Sequence, residues 1–274
     1  MATLTELSLF SGAGGGLLAT QHLLGWRTVC YVEWNEYAVN VLKARIRDGY
    51  LNDAPIWDDA FTFDGRPWAG LVDVVTAGFP CQPFSFAGKG LAENDPRNGW
   101  PAVKRILCEV RPRYALLENV PGLISKPYFR RILGDLAEAG FDIEQDCISA
   151  QEVGAPHIRE RLWLVAYAKG GEGRIPVSIW NKEEELHTGG NGSTRDMVGQ
   201  ADVWDAEHAR DRRFQSSTKG GEETRHVCCP QWWEVEPKVG RVADGVAARM
   251  DRLKALGNGQ VPAVVREAWD RLVK

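Results

Sequence analysis

The segment Leu4–Glu33, LTELSLFSGAGGGLLATQHLLGWRTVCYVE, decides the fold. Its first apolar run, Leu4–Phe10, predicts a strand, and the glycine-rich turn that follows opens a helix over Gly15–Leu24. A second apolar run predicts a strand over Thr28–Glu33. Two neighbouring strands joined through a helix pair in parallel, so the segment predicts a βαβ unit.

The same alternation of strands and helices continues to about residue 166. Further strands are predicted over Asp73–Ala77, Tyr114–Glu118, Phe141–Ser149 and Arg161–Ala166, and further helices over Glu36–Arg47, Ala102–Val110 and Tyr128–Ala139. This order indicates an α/β fold with a Rossmann-like, mostly parallel sheet that is covered on both faces. Ligands of such sheets bind outside the carboxyl ends of the strands.

The composition changes after Ala168, which predicts a division into three parts. Residues 1–168 form the main domain, and residues 169–239, rich in glycine and charge, form a small irregular lobe. Residues 240–274 return to the main domain as helices. The first of these is predicted over Arg241–Leu256, and the last over Val261–Val273, with Val265, Trp269 and Leu272 on one face.

The net charge of −4 argues mildly against a nucleic-acid binder, because Lys and Arg supply most of the affinity for DNA. The local charge of residues 97–131 differs from the net charge of the chain. This range has an excess of Lys and Arg, and its only acidic residues are Glu109 and Glu118. A positive face and ordinary solvated surface charge explain that excess equally well. The basic residues are Arg97, Lys104, Arg105, Arg111, Arg113, Lys126, Arg130 and Arg131.

Cysteine usage and hydropathy indicate a reduced, intracellular environment. Six cysteines stand at positions 30, 81, 108, 147, 228 and 229 without a CxxC pair, so no metal site is expected. The N-terminus does not resemble a signal peptide, and no stretch is apolar enough to span a membrane. We therefore expect a cytoplasmic protein that does not contact a membrane.

The glycine-rich turn Phe10–Gly16, FSGAGGG, predicts a cofactor site. Glycines allow the backbone to approach a ligand, and the helix that follows offers free N–H groups. Glu33 ends the next strand, where its carboxylate can accept hydrogen bonds from ribose hydroxyls, and Trp34 can lie against an adenine. The pattern fits both NAD and S-adenosylmethionine, and a tight turn without a ligand is the alternative.

Three further motifs carry groups able to do chemistry at the same edge of the sheet. Cys81 lies in GFPCQPFS (78–85), where prolines hold the backbone around a thiol that can act as a nucleophile. Glu118 ends a strand in ENVP, where a helix cap is the alternative role. Arg159 and Arg161 in PHIRERLW (156–163) are predicted to alternate on a strand and so to share a face, with ion pairing as the alternative.

Together these motifs resemble the DNA (cytosine-5) methyltransferase family, in the family's usual order and over nearly the whole chain. The resemblance implies S-adenosylmethionine as cofactor and transfer of its methyl group to C5 of a cytosine flipped out of duplex DNA. It assigns catalysis to Cys81, Glu118, Arg159 and Arg161. It also implies that the lobe at 169–239 is the target-recognition region, which is short for the family.

The resemblance also assigns binding residues, some by position in a motif and some by the chemistry of the side chain. Asp59 is chosen to approach the adenine, with Asp58 as its rival. His157 stands where the family often has Gln, and it can still donate or accept a hydrogen bond. The cofactor residues are Phe10, Ser11, Gly12, Gly14, Gly15, Glu33, Trp34, Asp59, Pro80 and Asn258, and the DNA-binding residues are Gln82, Ser85, Arg97 and His157.

Four alternatives stay open on the sequence. The same chemistry could act on RNA, as in tRNA-directed members of the family. A DNA-binding protein without activity would not need Cys81 or Glu118, and an enzyme that methylates an amino group usually has Asp/Asn-Pro-Pro-aromatic where this chain has FPCQ. A dehydrogenase is supported by the glycine turn alone. We expect a monomer of prokaryotic or viral origin, with a cognate restriction endonuclease as a partner that acts separately.

Overall fold

A seven-stranded sheet lies at the centre of the fold in a computed structural model that describes residues 3–80, 98–169 and 248–273. Its order is β3-β2-β1-β4-β5-β7-β6. The first five strands are parallel, whereas β7 runs antiparallel to both β5 and β6. The predicted mostly parallel sheet is therefore confirmed. The strands are β1 (Thr5–Leu9), β2 (Arg27–Val32), β3 (Ile56–Trp57), β4 (Val74–Gly78), β5 (Tyr114–Asn119), β6 (Phe141–Ile148) and β7 (Arg161–Ala168).

Helices cover both faces of this sheet. Neighbouring residues of a strand point to opposite faces, so one strand contributes to the apolar clusters on both sides. Leu117 of β5 belongs to the apolar cluster that holds α3 and α4, while its neighbour Leu116 belongs to the cluster of α1 and α6. A third cluster joins α1 and α2 around Tyr31. The helices are α1 (Gly15–His22), α2 (Glu36–Arg47), α3 (Trp100–Val110), α4 (Pro127–Glu138), α5 (Arg249–Asn258) and α6 (Pro262–Leu272).

The C-terminal helix α6 packs against α1. Its Val265 and Leu272 are buried, and the ring of Trp269 meets those of Trp26 at 4.6 Å and Tyr114 at 5.2 Å, both edge to face. These contacts fix α6 in place, and the turn that precedes α6 therefore lies at the carboxyl edge of the sheet.

One strand was not predicted, and several element ends differ from the prediction by one or two residues. The short strand β3 was not predicted, because two residues between Pro55 and Asp58 give no alternating pattern. Helix α5 runs to Asn258, two residues beyond the predicted end, and the chain turns at Gly259 before Pro262 opens α6. The predicted start of this helix at Arg241 lies outside the described residues.

The described residues all belong to one unit of the chain, made of Met1–Trp180 and Glu236–Lys274. The predicted lobe at 169–239 lies, after Lys169, outside the described residues. Its boundaries therefore stay predictions.

A buried carboxyl group crosslinks three parallel strands and α1. Glu6 of β1 is 1% exposed, and its oxygens accept hydrogen bonds from the hydroxyls of Thr20, Thr28 and Thr76 at 2.7–2.8 Å. Burial raises the pKa of Glu6 above its ordinary value, against the opposing effect of the three hydroxyl donors.

Replacing Glu6 with Gln is expected to flatten the pH dependence of stability. A carboxyl with a raised pKa in the folded state contributes stability below its unfolded pKa and loses that contribution as pH rises through the folded pKa. The stability of the natural protein relative to Glu6→Gln should therefore fall as pH rises above 4.5, the ordinary pKa of a glutamate. Urea unfolding of both proteins across this range measures the difference, and parallel curves would contradict the expectation.

Candidate active site

The register of the sheet brings the candidate groups to one edge. Leu9 at the end of β1 lies opposite Ala77 of β4, and Gly78 lies opposite Glu118 of β5. Because β7 runs antiparallel to β5, its first residue, Arg161, meets the end of β5 rather than the start. The glycine turn, the segment leading to Cys81, Glu118 and Arg161 consequently share the carboxyl edge.

The glycine turn has the backbone geometry that its glycines permit. Gly12 and Gly14 have φ values of 56° and 89°, and Gly14 directly precedes α1. Phe10 also has a positive φ, 53°, which is unusual for an aromatic residue and indicates local strain. The Ser11 N–H donates to the Val32 carbonyl at 3.1 Å, which fixes the turn to the end of β2.

Glu33 supports this turn directly. Its carboxylate is buried and accepts the Gly12 N–H at 2.7 Å and the Asn35 N–H at 2.8 Å. An ionised carboxylate has about four acceptor positions, so this one can accept two further donors, as ribose hydroxyls would require. Trp34 is 74% exposed beside it. The donor and acceptor set around the turn therefore fits an adenosine-containing cofactor.

Asp59 lies in a loop that α3 holds in place. Its Oδ1 accepts the Phe61 N–H at 2.8 Å, and Asp58 is exposed. Arg105 of α3 donates to the carbonyls of Ala60 at 2.9 Å and Phe63 at 2.7 Å. The choice of Asp59 over Asp58 stays a prediction, and the supporting role of Arg105 was not predicted, because it depends on packing between distant segments.

Glu118 and Arg161 form an ion pair at the edge, with Nε and Oε1 3.0 Å apart. The Glu118 side chain is 14% exposed, and burial raises its pKa above the ordinary value. The charges of Arg161 and Arg159 and a hydrogen bond from Gln260 act in the opposite direction. The carboxyl is therefore easier to protonate than an exposed one, yet it lies beside a cation.

The predicted alternation of Arg159 and Arg161 on one strand is wrong. Strand β7 begins at Arg161, and Arg159 precedes it with a φ of 33°, outside the extended region. Its guanidinium donates to the carbonyls of Gly257, at 2.8 Å, and Gly259. Sequence alternation failed here because contacts with the C-terminal turn, and not strand geometry, direct the Arg159 side chain.

Gln260 is the functional candidate that sequence reasoning missed. Asn258, chosen from the same GNGQVP turn, is exposed at the end of α5. Gln260 instead lies against the glycine turn, because a Cβ on Gly15 would be 2.7 Å from its backbone oxygen. The paired glycines at 15 and 16 are therefore required by close packing of Gln260, a contact that no local pattern reveals.

Replacing Gly15 with Ala is expected to destabilise the protein by about 1–3 kcal/mol, because the added methyl would collide with the Gln260 backbone. Gly134→Ala in α4 is the matched control, since a Cβ there meets no atom within 4 Å and Ala favours a helix. Urea unfolding should show that Gly15→Ala is less stable than the natural protein and that Gly134→Ala is more stable. Equal stability of Gly15→Ala and the natural protein would contradict the predicted collision.

A small cavity of about 10 Å³ opens between Glu118 and the C-terminal turn. Trp163 lines it and is 1% exposed, and its indole N–H has no hydrogen-bond partner among the described residues. The cavity has room for one water molecule at most. Its lining, within the described residues, is Glu118, Arg159, Arg161, Trp163, Gln260, Val261 and Val264.

The segment that leads to Cys81 is fixed to the end of β5. The side-chain amide of Asn119, which is 4% exposed, donates to the Phe79 carbonyl at 3.2 Å. Phe79 stands two residues before Cys81, so this hydrogen bond connects the ENVP motif to the motif that contains Cys81. Pro80 is the last described residue before Cys81. The predicted residues Cys81, Gln82, Ser85 and Arg97 lie outside the described residues.

Some of the basic residues at 97–131 form ion pairs, so the basic excess of this range is not all available as a positive surface. Lys104 pairs with Asp135 at 2.9 Å, and Arg105 pairs with Glu109 at 2.9 Å. Of the predicted DNA contacts, His157 is described and is exposed. Ion pairing therefore explains at least part of the local charge.

Two features are absent from the described ranges. No helix there combines the length and apolar character needed to cross a membrane. Within the same residues, no three His, Cys, Asp or Glu side chains are grouped so that they could hold a metal ion.

The sheet order, the glycine turn and the helices on both faces define a Rossmann-like methyltransferase fold. Comparison of the sequence with family models matches residues 4–237 to the C-5 cytosine-specific DNA methylase family. Because the match extends over most of the chain, the protein belongs to that family.

The chain is similar to bacterial type II methyltransferases. M.NgoBI of Neisseria gonorrhoeae is 34% identical over 59% of this chain and 50% of its own length. M.BsuFI of Bacillus subtilis is 35% identical over 60% of this chain and 39% of its own length. The chain thus spans about half the length, or less, of these curated relatives.

Among solved structures, a Spodoptera frugiperda DNMT2 mutant superposes with a TM-score of 0.52. It is 26% identical to this chain, and the match covers 64% of this chain and 54% of the other. This agreement supports the fold derived from the sheet order.

Proposed function

We propose that this protein transfers a methyl group from S-adenosylmethionine to C5 of a cytosine in duplex DNA. The observation that carries the proposal is the convergence of Glu118 and Arg161 with the segment that leads to Cys81. Asn119 holds that segment through Phe79, and the glycine turn with Glu33 lies at the same edge. Membership of the C-5 cytosine-specific DNA methylase family supports the same reaction.

The cofactor would be held by the glycine turn, with Glu33 accepting from the ribose and Trp34 lying against the adenine. Asp59 would accept from the adenine amino group, and Asn258 and Pro80 would complete the site. When bound, S-adenosylmethionine supplies a sulfonium methyl group that an electron-rich carbon can take up. The buried, doubly hydrogen-bonded carboxylate of Glu33 supports this assignment.

Cys81 is needed because C5 of cytosine is a poor nucleophile. A bond from the Cys81 sulfur to C6 moves the electrons of the C5–C6 double bond onto C5, and negative charge develops towards N3 and O2. A protonated Glu118 carboxyl would neutralise the charge at N3, and Arg161 would donate to O2. Arg159 would hold the surroundings of Cys81 or a phosphate.

Release restores both the ring and the thiolate. C5 would take up the sulfonium methyl group as the bond between that methyl and the donor sulfur breaks, which leaves a neutral thioether. Water then accepts the proton from C5, the C5–C6 double bond forms again and the bond between the Cys81 sulfur and C6 breaks, while the proton at N3 returns to Glu118. None of these contacts can be made to a base stacked in a duplex, so the cytosine has to rotate out of the helix. Gln82, Ser85, Arg97 and His157 would hold the DNA during this step, and the lobe at 169–239 would read neighbouring bases.

The test is a competition assay with a radiolabelled methyl donor, duplex DNA and tRNA, followed by sequencing of the modified positions. We expect the label in DNA, as 5-methylcytosine within one recurring sequence. Label confined to tRNA would replace DNA by RNA as the substrate, and label on an amino nitrogen would contradict attack at C5. Absence of label from both substrates would overturn the enzymatic proposal.

The type II names of the bacterial relatives support a cellular setting for the proposal. The enzyme would act as a monomer in the cytoplasm of a bacterium or of a cell infected by a virus. A cognate restriction endonuclease would recognise the same sequence separately. Analytical ultracentrifugation of the protein with and without a duplex tests the monomer.

A further inference from the structure

Gln260 lies between the glycine turn and Glu118, the two parts of the candidate active site. It precedes α6 in the turn that Arg159 holds through the carbonyls of Gly257 and Gly259. Its backbone oxygen would be 2.7 Å from a Cβ on Gly15, and its side-chain oxygen lies against Gly16. One end of the side-chain amide therefore faces the glycine turn.

The other end of the amide faces the catalytic candidate. A Cβ on Gly78 would lie 3.0 Å from Gln260 Nε2 and 3.1 Å from Glu118 Oε2, so both groups occupy the space beside Gly78. The Gln260 NH₂ group is placed to donate to Glu118, while Arg161 Nε lies 3.0 Å from Oε1. The amide oxygen of Gln260 lies against Gly16 and its NH₂ group lies beside Gly78, so the NH₂ group is the end that faces Glu118.

We propose that Gln260 is a positioning residue that holds the Glu118 carboxyl against Gly78 and links it to the glycine turn. The proposal rests on the proposed function, in which Glu118 meets N3 of the flipped base. Arg161 alone fixes one carboxyl oxygen, which leaves rotation about the last side-chain bond. A second donor on the other oxygen stops that rotation, so the carboxyl keeps one orientation before the substrate arrives.

The same contact sets the balance between the charged and neutral forms of Glu118. The charged groups that face Glu118 within the described residues are Arg161 of β7 and Arg159 from the segment before it. Both cations and the Gln260 N–H favour the ionised form, whereas burial favours the protonated form. Removal of the Gln260 donor therefore raises the pKa of Glu118 further.

The test compares Gln260→Met, which keeps the length of the side chain and loses the donor, with Gln145→Met at an exposed position of β6. For Gln260→Met, kcat should fall up to about tenfold, the typical effect of one lost hydrogen bond, and the high-pH limb of its pH profile should move to higher pH. Gln145→Met should change neither. An unchanged pH profile in Gln260→Met would overturn the proposal.

A second readout does not depend on activity. NMR titration of the ¹³C-labelled Glu118 carboxyl, assigned with Glu118→Gln, should give a higher pKa in Gln260→Met than in the natural protein. An identical titration in the two proteins would overturn the positioning role even if methyl transfer is found. A shifted titration together with failure of the natural protein to methylate DNA or tRNA would instead reject the proposed function and keep the contact.

Discussion

Replacement of Cys81 with Ala is expected to abolish methyl transfer while binding of duplex DNA and cofactor is retained. Without the thiolate, no covalent bond to C6 can form and C5 stays a poor nucleophile. Loss of a covalent nucleophile costs enzymes several orders of magnitude in rate, so we expect kcat to fall by at least about 10⁴-fold. Single-turnover transfer of a labelled methyl group, with binding measured separately, checks this result.

Trapping of the adduct gives an independent measurement. Duplexes that contain 5-fluorocytosine should form a covalent complex with the natural protein, because fluorine cannot leave C5 as the proton does. The Cys81→Ala variant should form none. Methylation by this variant at the natural rate would show that the nucleophile is a different residue.

Cys147→Ala is the matched control for Cys81. Burial raises the pKa of the Cys147 thiol to about 12 and that of Cys30 to about 11, so both stay protonated near neutral pH. A protonated thiol is a weak nucleophile, and neither group should form the adduct. Cys147→Ala should therefore retain both methyl transfer and trapping.

Replacement of Glu118 with Gln is expected to lower methyl transfer by about 10²-fold or more. The amide keeps the shape of the carboxyl but cannot give a proton to N3, and Arg161 loses its charged partner at 3.0 Å. Because burial raises the pKa of Glu118, the natural protein should lose activity as pH rises through that pKa, where the carboxyl ionises. The variant should lack this limb of the pH profile.

The control for Glu118 is Glu138→Gln, at the exposed end of α4. It removes the same charge without contact with the edge of the sheet, and its rate and pH profile should match those of the natural protein. A natural rate in Glu118→Gln would remove this carboxyl from the mechanism.

Most of the fold could be predicted because its strands and helices have strong local patterns. The apolar runs predicted as strands form β1, β2, β4 and β5, each within one residue of the predicted bounds. The two-residue strand β3 could not be predicted, because its pairing with β2 depends on a neighbour 25 residues away and not on its own pattern.

The candidate site was predictable to a smaller extent. Glu33 and Glu118 lie at the carboxyl edge because each ends, or directly follows, a parallel strand, which the sequence indicates. The roles of Arg105 and Gln260 could not be predicted, because each contacts residues more than 40 positions away. The direction of Arg159 was mispredicted for the same reason, since its acceptors lie about 100 residues further along the chain.

The sequence by itself determined which chemical groups this protein has and which strand each of them follows. Apolar periodicity and glycine or proline turns act over a few residues, so they can be recognised locally. Only the tertiary structure decided how those groups are paired. The antiparallel entry of β7 brings Arg161 to Glu118, and the C-terminal turn brings Gln260 between Glu118 and the glycine turn. Contacts of this kind depend on the packing of distant segments, which no local pattern of residues encodes.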